Sequence, residues 1–395
     1  MGKKLKKIKI NKLLKRIFTN KSLVLVGAIL ILAVVFSNPT ISKYLKPQSS
    51  EAAEWTFTKI VSGSPVAKTM DALGNKFVYG TSTTSLLDIK KIFLTSSDSA
   101  VPIPTSIPLI DSHFNINKVE MERGVVYWLQ SNTIGGRDIY KYVNGVTSKI
   151  TNDGGSKDGL YVTKRKMVYG NQVDNIPMKI IADITGKIIK TIYPQQAVGF
   201  TNDTDFNGNN IIWGEIEGSW PNTVSNLWMY TLSTNKFVKL TPMSTPLGPL
   251  TSVYRAKILG STIIFSAGSP NIKPNLFSYN INTGVTKQLT ITSSPMTDIR
   301  LTDYSVKQID LLHTKVAYIN WVEINNHQYQ EVHLVDINNP ADNQKLKSLE
   351  PAVDNIELRN IFLTSYLNKV KILVTGGEPI PAGEKKGDIY LIQQF

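Results

Sequence analysis

The amino-acid sequence predicts an all-β chain, a seven-bladed β-propeller of four-stranded blades, preceded by one N-terminal transmembrane helix. Three observations predict this class. A short hydrophobic run recurs seven times after a turn, a second strand-like segment follows each run, and one unassigned strand lies before the first repeat. The transmembrane helix is predicted from a 14-residue apolar run near the N-terminus.

Residues 1–21 form a basic tail, predicted to be cytoplasmic. They contain nine Lys or Arg residues and no acid, so of the formal net charge of +14 the other 374 residues carry 35 basic and 30 acidic groups, or +5. That remainder lacks the concentrated Lys/Arg stripe that binding to a phosphate backbone requires. We therefore expect no nucleic-acid partner.

Residues 22–42 are predicted to be a transmembrane signal-anchor, because the apolar run LVLVGAILILAVVF directly follows the basic tail. With its mild flanking residues the segment has roughly 20 residues, about 30 Å of helix, which is enough to cross a bilayer. Lys and Arg are retained on the cytoplasmic side, so the tail is expected inside. A signal peptide cleaved after Ser37 is the alternative.

This topology predicts a single-pass protein of the cytoplasmic membrane, with a polar linker at 43–54 and an extracytoplasmic propeller at 55–395. The chain has no cysteine. Disulfides, thiolate catalysis, thiolate metal sites and a lipidated cysteine are thereby excluded.

Seven hydrophobic runs define the repeat. They are FVYG at 77, VVYW at 125, MVYG at 167, IIWG at 211, IIFS at 263, VAYI at 316 and ILVT at 372. Their spacing of 42 to 56 residues is close to the period of propeller blades with loop insertions. Two separate β-sandwiches, joined near residue 195 or 245, are the alternative architecture.

In each repeat the hydrophobic run is followed by one further strand and usually by another, as in NLWMYTLSTNKFVKLT and NLFSYNINTGVTKQLT. With the strand before each turn this gives four strands per repeat. These segments resemble the second half of the WD40-like repeat of TolB-type propellers, in which a Thr-Gly turn leads to a terminal Leu-Thr. The resemblance implies the architecture and no particular partner. The Ser-Pro-Asp-Gly turn of that family is replaced here by forms such as NGNN and LGST.

The last repeat ends after its third strand, so its fourth strand must come from elsewhere. EWTFTKIV at 54–61 is an unassigned strand just before the first repeat. We predict that it pairs with the C-terminal DIYLIQQF, which closes the ring and removes a free sheet edge.

The connections of such blades lie on two faces. First-to-second and third-to-fourth connections are short here and define the tight-turn face, whereas second-to-third and blade-to-blade connections include EIEGSWPNTVSN, AGSPNIKP and EINNHQYQ and define the long-loop face. Binding residues tend to lie on elaborated loops held by a rigid scaffold. The long-loop face is therefore the predicted binding surface.

Three aromatic residues on that face are candidate binding residues. Trp220 lies in a Gly-Ser-Trp-Pro context that no strand alternation demands, and Trp321 and Tyr329 flank another connection. A Trp in a polar loop is a typical hot spot. The alternatives are that Trp220 covers its own blade and that Trp321 ends a strand that faces a neighbouring blade.

Asp203, Asp205, Asn207 and Gly208 match the opening of a calcium loop, in which alternate side-chain oxygens converge and a Gly permits a sharp turn. The twelfth position of such a loop would be Gly214 instead of a bidentate Glu. An Asn-Gly hairpin turn is the alternative to calcium. No other cofactor is expected.

No H-E-x-x-H, G-x-S-x-G or P-loop signature occurs in the sequence. We therefore expect a non-enzymatic binding or scaffold module, held at the membrane, for a protein, peptide or envelope glycan. Carboxylate pairs are spatial and a sequence hides them. An exported hydrolase or lyase with its site at the central channel is the alternative.

Overall fold

A computed structural model describes most of the chain after residue 54. The described residues are 55–62, 65–82, 89–98, 104–109, 114–153, 155–173, 176–195, 200–218, 224–241, 243–245, 248–250, 252–269, 272–290, 308–312, 314–325, 327–367, 369–377 and 387–394. Trp55–Gln394 forms one compact unit.

The described strands pair antiparallel in seven four-stranded blades. Strand β1 (Trp55–Val61) belongs to blade 7. Blade 1 contains β2 (Pro65–Leu73), β3 (Lys76–Ser82), β4 (Ile89–Ser96) and β5 (Thr105–Ile107). Blade 2 contains β6 (Ile116–Glu122), β7 (Val125–Ser131), β8 (Arg137–Val143) and β9 (Val146–Lys149). Blade 3 contains β10 (Asp158–Thr163), β11 (Lys166–Val173), β12 (Ile176–Asp183) and β13 (Ile188–Ile192).

The remaining blades continue in chain order. Blade 4 contains β14 (Phe200–Phe206), β15 (Asn210–Glu217), β16 (Val224–Thr231) and β17 (Lys236–Lys239), and a short hairpin of β18 (Met243–Thr245) and β19 (Gly248–Leu250) follows it. Blade 5 contains β20 (Ser252–Leu259), β21 (Thr262–Ser269), β22 (Ile272–Asn280) and β23 (Thr286–Gln288). Blade 6 contains β24 (Gln308–Leu312), β25 (Lys315–Ile324), β26 (His327–Asp336) and β27 (Asn343–Leu349). Helix α1 (Pro351–Asp354) precedes blade 7, which contains β28 (Glu357–Tyr366), β29 (Lys369–Gly377) and β30 (Asp388–Gln394).

The hydrophobic runs of the sequence are the second strands of the blades. They are buried on both faces, as the pattern of β7 shows, because each sheet packs between two neighbours. Trp128 and Trp213, in the second strands of blades 2 and 4, are fully buried. Hydrophobic clusters alternate with sheets around the ring, so the core is a series of inter-blade layers.

The first strands contact one another in sequence from blade 1 to blade 7 and back to blade 1. They form the inner wall of a closed ring. The alternative of two β-sandwiches is therefore wrong, because the described first strands of blades 3, 4 and 5 contact one another across both proposed boundaries.

The predicted closure of the ring is confirmed. Strand β1 pairs antiparallel with β30, with Trp55 opposite Gln394 and Lys59 opposite Tyr390. The order of the last sheet is β1-β30-β29-β28, so the N-terminal strand takes the outermost place. Pairing the two ends covers an edge that would otherwise be free.

A recurring polar pair explains the Leu-Thr signature. In blade 4 the Thr241 hydroxyl donates to Asn226 Oδ1 at 2.8 Å and accepts from the Leu227 amide at 3.1 Å. Thr290 pairs in the same way with Asn275 and the Leu276 amide. Because these groups are buried, each needs a partner inside the protein. Blade 2 repeats the arrangement with Thr151 and Asp138.

Two connections differ from the sequence interpretation. EINNHQYQ and AGSPNIKP were expected as loops, yet strands β25 and β26 and strands β21 and β22 extend through them and leave turns of only two residues. Local composition does not favour this extension, so cross-strand pairing along the hairpins decides it. The β18–β19 hairpin and α1 were not expected. None of the described helices has the length and apolar character needed to cross a membrane, and the predicted anchor at 22–42 lies outside the described residues.

Candidate functional site

Of the three predicted binding aromatics, the two that the structure describes do not lie together. Trp220 lies outside the described residues. Trp321 is opposite Gln330 in the β25–β26 hairpin and Tyr329 is opposite Val322, so the two aromatic side chains project from opposite faces of the sheet. Gln330 bonds to the Leu358 backbone of blade 7 through both its amide atoms. Trp321 therefore faces the neighbouring blade, which is the alternative to a binding role given above.

Tyr329 belongs to a surface at the end of the β25–β26 hairpin, which we name the blade 6 crest. It consists of Ile324, His327, Tyr329, Glu350 and Val353. The His327 ring nitrogen Nδ1 lies 2.6 Å from Glu350 Oε1, and Ile324 and Val353 are 51% and 72% exposed. Desolvation and the neighbouring Glu350 carboxylate raise the pKa of Tyr329. The crest thus presents apolar groups beside a hydrogen-bonded polar cluster on the long-loop face.

The predicted calcium segment is a turn at the end of β14. Asn207 Oδ1 accepts hydrogen bonds from the Asn209 and Asn210 amides at 3.0 and 2.7 Å, and its Nδ2 donates to the Gly260 carbonyl at 2.6 Å. Asp205 Oδ2 accepts from the Ile258 amide at 2.7 Å. The side chain of Asp203 lies outside the described residues. Both described oxygens thus have backbone donors as partners, and the calcium hypothesis stays a prediction.

A cluster of charged side chains lies inside the ring of first strands. The Nζ of Lys118 and the Nζ of Lys257 lie 5.2 and 5.7 Å from the centre of the Tyr161 ring. Lys118 belongs to blade 2, Tyr161 to blade 3 and Lys257 to blade 5, so these side chains meet across the central channel. Lys118 Nζ also bonds Glu120 Oε1 at 2.7 Å.

Asp71 completes the channel cluster from blade 1. Burial, and secondly the nearby Glu120 carboxylate, raises the pKa of Asp71 to about 8. Two backbone amides, those of Met121 at 2.6 Å and Ala72 at 2.8 Å, donate to its carboxylate and oppose this rise. Desolvation therefore dominates. Asp71 and Glu120 thus have unlike environments, because Glu120 has an ion pair with Lys118 and Asp71 accepts from two backbone amides.

No signal in the sequence singled out these channel residues. They sit on first strands, which the hydrophobic runs do not mark, and Lys118 and Lys257 are brought together only when the ring closes. The useful signal is positional, because the first strand lines the channel in every blade. Among the described residues, no group of three or more His, Asp or Glu could hold a metal ion.

Comparisons with known proteins reveal similarity in structure only. No family model and no curated protein matches the sequence. The chain is similar to the WD40 β-propeller domain of Doa1, with 10% identity and a TM-score of 0.53 over 86% of this chain and 97% of that one. The chain has the fold of a WD40-like β-propeller.

Two further solved structures are similar to the chain. The propeller domain of the Trilobed protease from Pyrococcus furiosus, described as having an open velcro topology, gives a TM-score of 0.56 at 9% identity over 84% of this chain and 97% of that one. TolB from Acinetobacter baumannii gives 0.40 at 13% identity over 86% and 80% of the respective chains. In this propeller β1 and β30, from the two ends of the domain, pair in one blade.

Proposed function

We propose that this WD40-like propeller is a non-enzymatic binding module, anchored at the outer face of the cytoplasmic membrane, that engages a protein, peptide or envelope glycan through its long-loop face. The blade 6 crest is the observation that carries the proposal. Exposed apolar groups beside a fixed polar cluster are typical of binding surfaces on a rigid scaffold.

The scaffold supports this role because the ring is closed and its blades are packed through continuous hydrophobic layers. A rigid frame lowers the entropy lost on binding. Chain direction also fits an N-terminal anchor. The propeller begins at Trp55, which lies opposite Gln394 on the tight-turn face, away from the crest.

The binding test is a pull-down from detergent-solubilised membranes with the full-length protein. Tyr329→Ala and Val353→Asp should each reduce recovery of the partner severalfold, whereas Val285→Asp, a change at an equally exposed valine on the tight-turn face, should not. Equal loss in all three variants would contradict recognition by the crest. Thermal unfolding of each variant separates lost binding from lost folding.

The channel cluster favours a second function, that of a hydrolase or lyase. Asp71 with a raised pKa and Glu120 beside Lys118 resemble the unlike carboxyl groups used in general acid–base chemistry. A screen against glycan and peptide substrates tests it. If a substrate is turned over and Glu120→Gln abolishes this turnover while the protein stays folded, the enzymatic function is favoured over the binding module.

The anchor has its own test. The mature protein is expected to begin near residue 1 and to sediment with membranes. An N-terminal sequence that starts at Asn38 would demonstrate a cleaved signal peptide instead.

A further inference from the structure

The first-to-second turns form a ring of tips on the tight-turn face, which we name the turn ring. Its described positions, those between the first and second strands, are 74–75, 123–124, 164–165, 207–209, 260–261, 314 and 367. Among these positions three are cationic, Arg123, Lys164 and Arg165, and none is acidic. Carboxylates border the ring as well: Glu122 accepts the Lys164 amide and lies 3.4 Å from Arg123 Nε, and Asp98 accepts from Asn75 Nδ2 at 2.6 Å.

Leu367 occupies another tip of the turn ring, and Leu73 and Leu259 end the strands that lead into two further tips. Leu73, Leu259 and Leu367 are 43%, 39% and 78% exposed. Leu367 lies in blade 7, where the chain enters the propeller, and the cations lie in blades 2 and 3. One flat surface in contact with the ring would therefore meet both kinds of side chain.

The backbone conformation at several of these tips disfavours the side chains that occupy them. Hairpin turns with positive φ favour Gly, Asn and Asp. Lys164 and Arg165 nevertheless have φ of 48° and 61°, and Leu367 has φ of 50°. Long cationic and aliphatic side chains are strained in this region. Such positions are retained where the side chain has a task.

We propose that the turn ring docks on an anionic phospholipid surface, with Arg123, Lys164 and Arg165 at the headgroup phosphates and Leu367 at the boundary of the acyl chains. Basic residues attract anionic headgroups, and exposed aliphatic groups add apolar burial at the interface. The proposal rests on the anchor in the proposed function, because Trp55 brings the chain into the propeller on this same face.

The test uses residues 55–395, since the closed ring needs no residue before Trp55. Sedimentation with phosphatidylglycerol vesicles should recover this fragment, and phosphatidylcholine vesicles should bind it at least tenfold more weakly. Lys164→Asn combined with Arg165→Gly should weaken binding about 25-fold. The same double change should leave the melting temperature equal or higher, because Asn and Gly suit positive φ.

Matched controls lie near the opposite face. Lys91→Glu and Ile134→Asn change an exposed lysine and an exposed isoleucine and should leave vesicle binding unchanged. Absence of binding to anionic vesicles, or full binding by the double variant, would overturn the proposal. Competition by millimolar glycerol phosphate would also overturn it, because the ligand would then be a soluble phosphate. A fragment that binds while the full chain proves to be cleaved would leave the docking intact and refute the anchor alone.

Discussion

The rings of Phe57 and Tyr390 stack with their centroids 4.7 Å apart and an interplanar angle of 10°. One residue lies near the start of the propeller and the other in its last strand. Lys59 adds an ion pair with Asp388 at 2.6 Å. The two ends of the propeller are thus joined by backbone pairing, by aromatic contact and by charge.

Removal of β1 is expected to open the ring. A fragment that begins at residue 64 leaves β30 as an unpaired edge and exposes the hydrophobic cluster that Trp55 and Phe57 cover. We expect loss of a single cooperative unfolding transition, or aggregation, relative to residues 55–395. Calorimetry compares the two fragments. An unchanged melting temperature would contradict the closure of the ring by this strand.

The Asn–Thr pairs are expected to contribute measurably to stability. Thr241→Val keeps the shape of the side chain but leaves the Leu227 amide and Asn226 Oδ1 without the hydroxyl. The expected cost is about 1–3 kcal/mol in denaturant unfolding, because both groups are buried. Thr234→Val, at an exposed turn position, is the control and should change stability by less than about 0.5 kcal/mol. Equal effects would refute the pairing.

The sequence predicted the blades because each depends on local signals. Hydrophobic runs such as IIWG mark buried second strands, and the Leu-Thr ending marks the pair with Asn226 or Asn275. Even the closing strand followed from counting strands. The β18–β19 hairpin and the extension of β25 and β26 were missed because they depend on which side chains find neighbours once blades pack.

The site was less predictable for a physical reason. Tyr329 could be placed on the long-loop face, but Glu350, which contacts both His327 and Tyr329, follows the next strand. The channel pair of Lys118 and Lys257 comes from blades that are not neighbours in the ring. The first contact depends on strand pairing within a blade and the second on ring closure, and no local pattern encodes either.

The Asn207→Ala variant distinguishes a structural turn from a calcium site. Asn207→Ala removes three hydrogen bonds in and beside the hairpin turn, and we expect a loss of about 2 kcal/mol of stability. If the segment is only a turn, this loss is the same with calcium or with a chelator. Titration calorimetry of the wild type with millimolar calcium is the companion measurement. Heat that disappears in the variant would favour the metal.

Asp71 predicts a pH dependence of stability. Its pKa is about 8 in the folded protein against an ordinary value of 3.8. The folded state therefore retains a proton that the unfolded chain has released, and stability should fall as pH rises from about 4 to 8. Asp71→Asn removes this ionisation but leaves one amide without an acceptor, so the whole stability curve shifts down by about 1 kcal/mol. The measurement that tests this prediction is the slope of the unfolding free energy against pH. Between pH 5 and 8 the variant should lose at least about 1 kcal/mol less than the wild type.

The control for this prediction is Asp205→Asn. Asp205 accepts the Ile258 amide from the next blade at 2.7 Å, just as Asp71 accepts the Met121 amide at 2.6 Å. The control variant therefore measures the effect on stability of losing a carboxylate that accepts an amide from the next blade, with Asp71 unchanged. Denaturant unfolding at pH 5, 6.5 and 8 measures all three proteins. Glu120→Gln adds a second check, because removal of the neighbouring charge lowers the pKa of Asp71 and should reduce the slope in part. A wild-type protein whose stability does not change over this range would refute the raised pKa.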